Sequence, residues 1–217
     1  MKILSVSLAI FLIVSILPVR SQDRVYNSSI TAVCYAGNKT KRIYIPPPEA
    51  FLKKSGTKSG GSVKIYYTGF TSQGETAMEY AKSILETMLP ADTKLTILAS
   101  WEKISTAGVL ANCSPTYFVK GSIIDALNPK VYYPIALAEK IAGKSLDDDL
   151  EGDLTLRINN SMNWYLGTDG NTPALKYDLV TVALHEICHG LGFFDSMSSD
   201  GALGSYGICL LYTSRCV

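Results

Sequence analysis

The stretch His185-Glu186-Ile187-Cys188-His189-Gly190-Leu191-Gly192 holds both histidines of the 217-residue chain, four positions apart, with a glutamate directly after the first. On an α-helix, residues i and i+4 lie on one face, so two imidazoles at that spacing can reach a single ion. The H-E-x-x-H order predicts zinc (Zn2+) held by His185 and His189. Glu186 would then be the general base of a metalloprotease, beside the open metal position. The segment also reads as a helix on its own residues. Asp178 can cap it, while Val180, Ala183, Leu184, Ile187, Cys188 and Leu191 fall at helical spacing. Gly190 and Gly192 mark where it should end. Within that helix Cys188 reads as a small buried apolar filler.

A catalytic zinc needs three protein ligands and an open position. Gly192 follows His189 by three residues and allows a sharp turn. Asp195 then stands six residues after His189, where the metzincin pattern H-E-x-x-H-x-x-G-x-x-H has its third ligand. With no further histidine in the chain, the carboxylate of Asp195 is the natural substitute. Two competing readings stay open: Asp195 as an ordinary turn residue, and a third ligand beyond the end of this sequence. The bland reading of the histidines themselves is a packed pair on an apolar helix, because H-E-x-x-H also arises by chance.

Outward from the motif, the chain alternates strand and helix. Val63-Lys64-Ile65-Tyr66-Tyr67 is β-branched and aromatic, and predicts a strand. Ser72-Gln73-Gly74-Glu75 has the form of a capping box, and Met78, Ala81, Leu85 and Met88 recur at helical spacing up to Pro90. Leu95-Thr96-Ile97-Leu98-Ala99 is a second strand, so the order predicts a βαβ unit with a parallel pair. Pro134 to Ala142 reads as a short helix with Gly143 at its end. Leu154, Leu156 and Ile158 alternate with Thr155, Arg157 and Asn159, the period of a half-buried strand. The acidic run Asp147 to Gly152 fails the calcium-loop test, since Ile158 stands where the closing glutamate is required. It reads better as a solvated acidic turn, with a looser ion site left open.

Lys2, the apolar run Ile3 to Leu17 and Pro18-Val19-Arg20-Ser21 have the form of a signal peptide, residues 1–21, and predict export. The apolar run is too short to span a bilayer, so no membrane span is expected after its removal. Residues 22–62 read as an extended segment and linker, stiffened by Pro46-Pro47-Pro48 and loosened by the Gly/Ser/Lys stretch from Ser55 to Ser62. Residues 63–208 form the expected catalytic domain. Cys209-Leu210-Leu211-Tyr212-Thr213-Ser214 matches one reading frame of a transposon adapter used in sequencing libraries. Residues 209–217 are therefore expected to be a non-native tail on a truncated chain. The formal charge of +1 gives no sign of a nucleic-acid partner. Five cysteines make no regular framework, although Cys34 and Cys113 could pair in an oxidising compartment.

His185 to Phe193, with Asn163 to Asn171 and Tyr133 to Lys140, resembles a group of secreted bacterial zincin-type metalloproteases. The similarity covers roughly Val63 to Phe193. It implies an α/β (α+β) zincin-like catalytic domain, with a mixed twisted sheet, a long backing helix and an active-site helix. It further implies His185 and His189 as ligands and Glu186 as base. The expected activity is hydrolysis of peptide or protein substrates outside the cell, with the strand Leu154 to Ile158 as the sheet edge that a substrate would join. The rival is a secreted binding module that keeps the fold without catalysis. A serine or cysteine hydrolase is disfavoured, because G-x-S-x-G is absent and one helix claims both histidines.

Overall fold

The computed structural model describes residues 24–26, 31–37, 46–53, 60–147, 151–194, 197–199 and 204–206. The signal segment 1–21, Asp195 and the tail 209–217 lie outside them, as do Asp148 and Asp149 of the acidic run. The chain opens with strands β1 (Arg24–Tyr26) and β2 (Ala32–Tyr35), then the single turn of helix α1 (Glu49–Leu52) directly after the proline run. β3 (Ser62–Thr68), α2 (Ser72–Met88) and β4 (Lys94–Glu102) follow, then β5 (Val109–Pro115), β6 (Tyr117–Lys120) and β7 (Tyr132–Pro134). Helix α3 (Ile135–Ala142), β8 (Leu154–Asn159), β9 (Trp164–Tyr165) and β10 (Tyr177–Asp178) lead into α4 (Leu179–Gly190). The hairpin strands β11 (Met197–Ser199) and β12 (Gly204–Tyr206) come last.

The main sheet is mixed, in the order β2-β5-β8-β4-β3. β3, β4 and β8 are parallel, as the strand–helix–strand order requires, while β5 runs antiparallel to β8 and β2 antiparallel to β5. Registered partners share a face, which follows from the period-2 pleat. One face therefore carries Val63, Leu95, Ile97, Ala99, Leu154, Leu156, Ile158, Ala111 and Cys113, all buried. These residues join one core with Met78, Ala81, Ile84 and Leu85 of α2 and Leu179, Ala183 and Ile187 of α4. The fold is thus a mixed α/β domain with helices over one side of a mixed sheet. A smaller core of Tyr117, Val119, Tyr133, Ile135 and Ala138 fastens α3 to the β1-β6-β7 sheet.

Several local expectations shift. The cap of α2 is Thr71, whose Oγ1 accepts the Gly74 amide at 3.1 Å, one residue ahead of the expected Ser72. Met88 is 63% exposed, because the last turn of α2 runs past the buried stripe. The larger correction concerns β8. It lies at the centre of the sheet between β5 and β4, so its main-chain groups are spent on both sides and no substrate can add to it. Cys34 and Cys113 are both free thiols: Cys34 stands opposite Ala111, so the two cysteines are diagonal neighbours on one face.

Trp164 sets the approach to α4. Its Nε1 donates to the Asn159 carbonyl at 2.8 Å, and its ring lies 6.2 Å from Trp101 and 6.3 Å from Tyr177. This anchors the connection after β8 and places Asp178 at the head of the helix.

Candidate metal centre on the fourth helix

Asp178 starts α4 as its sequence predicts. Oδ1 accepts the Thr181 amide at 2.7 Å, and the Thr172 hydroxyl holds Oδ2 at 2.9 Å. The buried stripe is Leu179, Val180, Ala183, Glu186, Ile187 and Gly190. Each large apolar member of such a stripe is worth roughly 1.5–3 kcal/mol. That stripe fixes the rotation of the helix. Glu186 is turned inward against the sheet, and His185 and His189 stand on the outer flank. Cys188 is exposed, not buried as expected, because it lies on that same outer side.

The end of α4 is a Schellman motif. The Phe193 amide donates to the Cys188 carbonyl at 3.1 Å, and the Gly192 amide to the His189 carbonyl at 2.9 Å. Gly192 takes φ +109°, and a Cβ there would meet Pro134 Cγ at 2.8 Å, so both conformation and space demand glycine. Gly190 is needed for a different reason. A Cβ on it would stand 2.7 Å from Cys113 Sγ and 3.0 Å from Leu154 Cδ1. Helix and sheet therefore approach more closely here than any side chain would allow.

These contacts bring the two imidazoles together. His185 Nε2 and His189 Nε2 are 3.0 Å apart, with the rings at 90°. Two nitrogens on a tetrahedral zinc at about 2.0–2.1 Å stand about 3.3 Å apart, close to the observed spacing. His189 Nδ1 lies 2.6 Å from the Phe193 carbonyl oxygen. A carbonyl can only accept, so Nδ1 carries the proton and the Nε2 lone pair faces His185. Burial, and secondly the neighbouring His189, hold His185 below the ordinary imidazole range and favour the neutral form a metal requires.

Glu186 is 0% exposed, and neither of its oxygens has a hydrogen-bond partner among the described residues. The Cys34 thiol and the Cys113 main chain approach it without meeting that geometry. Burial pushes its carboxyl up to about 8. One ligand atom each from Cys34, His185 and Glu186 lie within 4.8 Å of one another. Burial, followed by the Glu186 charge, pushes the Cys34 thiol up. A buried carboxylate without donors is costly unless a cation or a proton satisfies it. Two convergent imidazoles and a nearby thiol are donor types that zinc accepts, and the orphaned carboxylate of Glu186 stands next to them. Sequence reasoning missed Cys34 as a neighbour of this site. It lies some 150 residues upstream, and only its place on β2 brings it here. Asp195 lies outside the described residues.

A family model described as SPBPB7E8-like matches residues 77–205, more than half of the chain. A curated relative, Uncharacterized protein PB7E8.01 of Schizosaccharomyces pombe (strain 972 / ATCC 24843), is 27% identical over 107 residues. That alignment covers 49% of this chain and 18% of the relative, so the match spans less than a fifth of the relative's length. No solved structure matches. These matches overturn the resemblance to secreted bacterial zincin-type metalloproteases, because they point to a eukaryotic family instead. The resemblance rests on three short stretches, Tyr133 to Lys140, Asn163 to Asn171 and His185 to Phe193, and such stretches carry little family information by themselves.

Proposed function

The chain belongs to the SPBPB7E8-like family, and for this member we propose a zinc-dependent endopeptidase, exported from the cell and built on a zincin-like arrangement. In this arrangement α2 backs the sheet and α4 carries the site. The observation that supports it most is the convergence of His185 Nε2 and His189 Nε2 at 3.0 Å beside the orphaned carboxylate of Glu186. His185 and His189 would hold the metal, and the Phe193 carbonyl, by fixing the proton on His189 Nδ1, leaves its Nε2 free to bind. A zinc held there would supply Lewis-acid polarisation of the scissile carbonyl and a water whose pKa is lowered toward about 7.

The remaining chemistry belongs to Glu186. Burial alone favours its protonated form near neutral pH, and beside a bound cation the same carboxyl ionises, which is the state a base needs. It takes the proton of the attacking water on one carboxylate oxygen and returns it to the leaving amine nitrogen. The apolar wall from Cys113 and the sheet keeps bulk water away from that proton. With β8 enclosed, an extended peptide would join the sheet at the β2 edge, whose Cys34 stands beside the site.

The test uses the purified full chain, its zinc content and cleavage of a peptide library. Wild type should hold one zinc and cleave, and His185→Ala and His189→Ala should lose both. Glu186→Ala should keep zinc and lose cleavage by a factor on the order of 10²–10⁴. Cleavage that survives both chelation and Glu186→Ala refutes the proposal.

A further inference from the structure

Asp153, the residue before β8, is 4% exposed. Its Oδ2 accepts the Thr96 amide at 2.6 Å, whereas its Oδ1 is buried and meets no donor among the described residues. Two further carboxylates stand beside it, Glu139 from α3 and Asp147 from the loop after α3. One oxygen from each of the three lies within 4.8 Å of the others. Glu139 Oε1 is held by the Leu146 amide at 2.7 Å and the Ser145 hydroxyl at 3.2 Å. Ser145 also reaches Asp147 Oδ1 at 3.3 Å, and Asp147 Oδ2 is buried with no donor among the described residues. Among the described residues no Lys or Arg is ion-paired with any of the three, and the nearby Lys140 is paired with Asp92.

Three carboxylates this close repel one another, and two buried oxygens without donors add a desolvation cost. Burial, helped by the charges of Glu139 and Asp147, pushes the Asp153 carboxyl up to about 7. A shared proton would satisfy one oxygen pair and leave the third group unsatisfied. A hard divalent cation satisfies all three at once. Any two oxygens on a calcium sphere of about 2.3–2.6 Å radius are at most about 5 Å apart, which the observed cluster meets. The donors are all oxygen, which disfavours zinc and copper.

We propose that Glu139, Asp147 and Asp153 form a calcium site that pins α3 and its following loop to the start of β8. The site is independent of the histidine pair and differs from it in donor chemistry. Its position gives it leverage on α4: Leu154, the next residue, packs against Gly190, and Pro134 at the head of α3 packs against Gly192.

The full chain is stripped of metal and its thermal unfolding followed as CaCl2 is added. The unfolding temperature should rise by roughly 5–10 °C at a hundredfold excess over Kd. Titration calorimetry should count one ion per chain. The double variant His185→Ala/His189→Ala should keep the shift, and Asp153→Asn should lose it. Asp147→Asn, on the less buried loop, should lose it too and guards against a folding failure at Asp153. No shift up to about 10 mM calcium, well above the weakest protein sites, overturns the proposal. So does a shift that both single variants retain, or an equal response to Mg2+ at the same concentration.

Discussion

Replacing Gly190 with alanine tests how closely α4 must approach the sheet. Inside a helix this exchange ordinarily stabilises, by at most about 1 kcal/mol and less at a terminal residue. Here the added methyl would stand 2.7 Å from Cys113 Sγ and 3.0 Å from both Leu154 methyls. Cys113 and Leu154 are both 0% exposed, so neither can swing into solvent to relieve the clash. Inserting a methyl into a filled core costs about 1–3 kcal/mol. The net expectation is a loss of about 1–2 kcal/mol, or roughly 2–8 °C in unfolding temperature for a domain this size. The assay is urea and thermal unfolding in chelator, which removes any metal contribution. Adding Cys113→Ala should relieve the clash, giving a favourable coupling of about 1 kcal/mol in a double-mutant cycle. A Gly190→Ala protein as stable as wild type, or a strictly additive cycle, would refute the close-approach argument.

Gly192→Ala should lower both stability and metal affinity. The left-handed φ and the Pro134 contact strain any side chain there, at about 1–3 kcal/mol. Displacing Phe193 should weaken zinc binding by about 10–100-fold in a competition titration with a chelating dye. Asn159→Ala should cost about 2–4 kcal/mol in urea unfolding, since its side chain is buried and bonds Val109, Ile104 and Ser161. In calcium-free buffer, Asp153 is favoured neutral in the folded state, because its carboxyl there sits at about 7 against an ordinary 3.8. Its contribution is therefore most favourable below about pH 4, falls as pH rises through 7, and is flat above, a loss of at most about 4 kcal/mol. Asp153→Asn should flatten that slope in unfolding titrations across pH 4–8.

What the sequence disclosed follows the reach of each signal. The start and end of α4 are local matters, so Asp178, the apolar spacing and the two glycines located them. The β3–α2–β4 unit was equally local. The central place of β8 was not, because alternation of Leu154, Leu156 and Ile158 reports which face is buried and says nothing of neighbours in the plane. β5 went unread because its residues Val109 to Cys113 are buried on both faces, which erases the alternation. Cys188 fits the helical spacing of the buried residues, yet Glu186 takes the inward position beside it. The acidic run resembles solvated surface in composition. Only the fold folds Asp153 under α3 and separates it from its exposed neighbours.

The Schellman turn after α4 makes one of the two proposed ligands depend on backbone that fraying would release first. His189 is oriented by a carbonyl two residues beyond the helix's own cap, so its readiness follows the local opening equilibrium of that turn and not the global stability of the domain. An ion that binds only the closed turn would then act as a latch on it, slowing amide exchange at Gly192 and Phe193 while leaving the middle of α4 unchanged. The helix would exist without its ion, but its last turn would keep time with it.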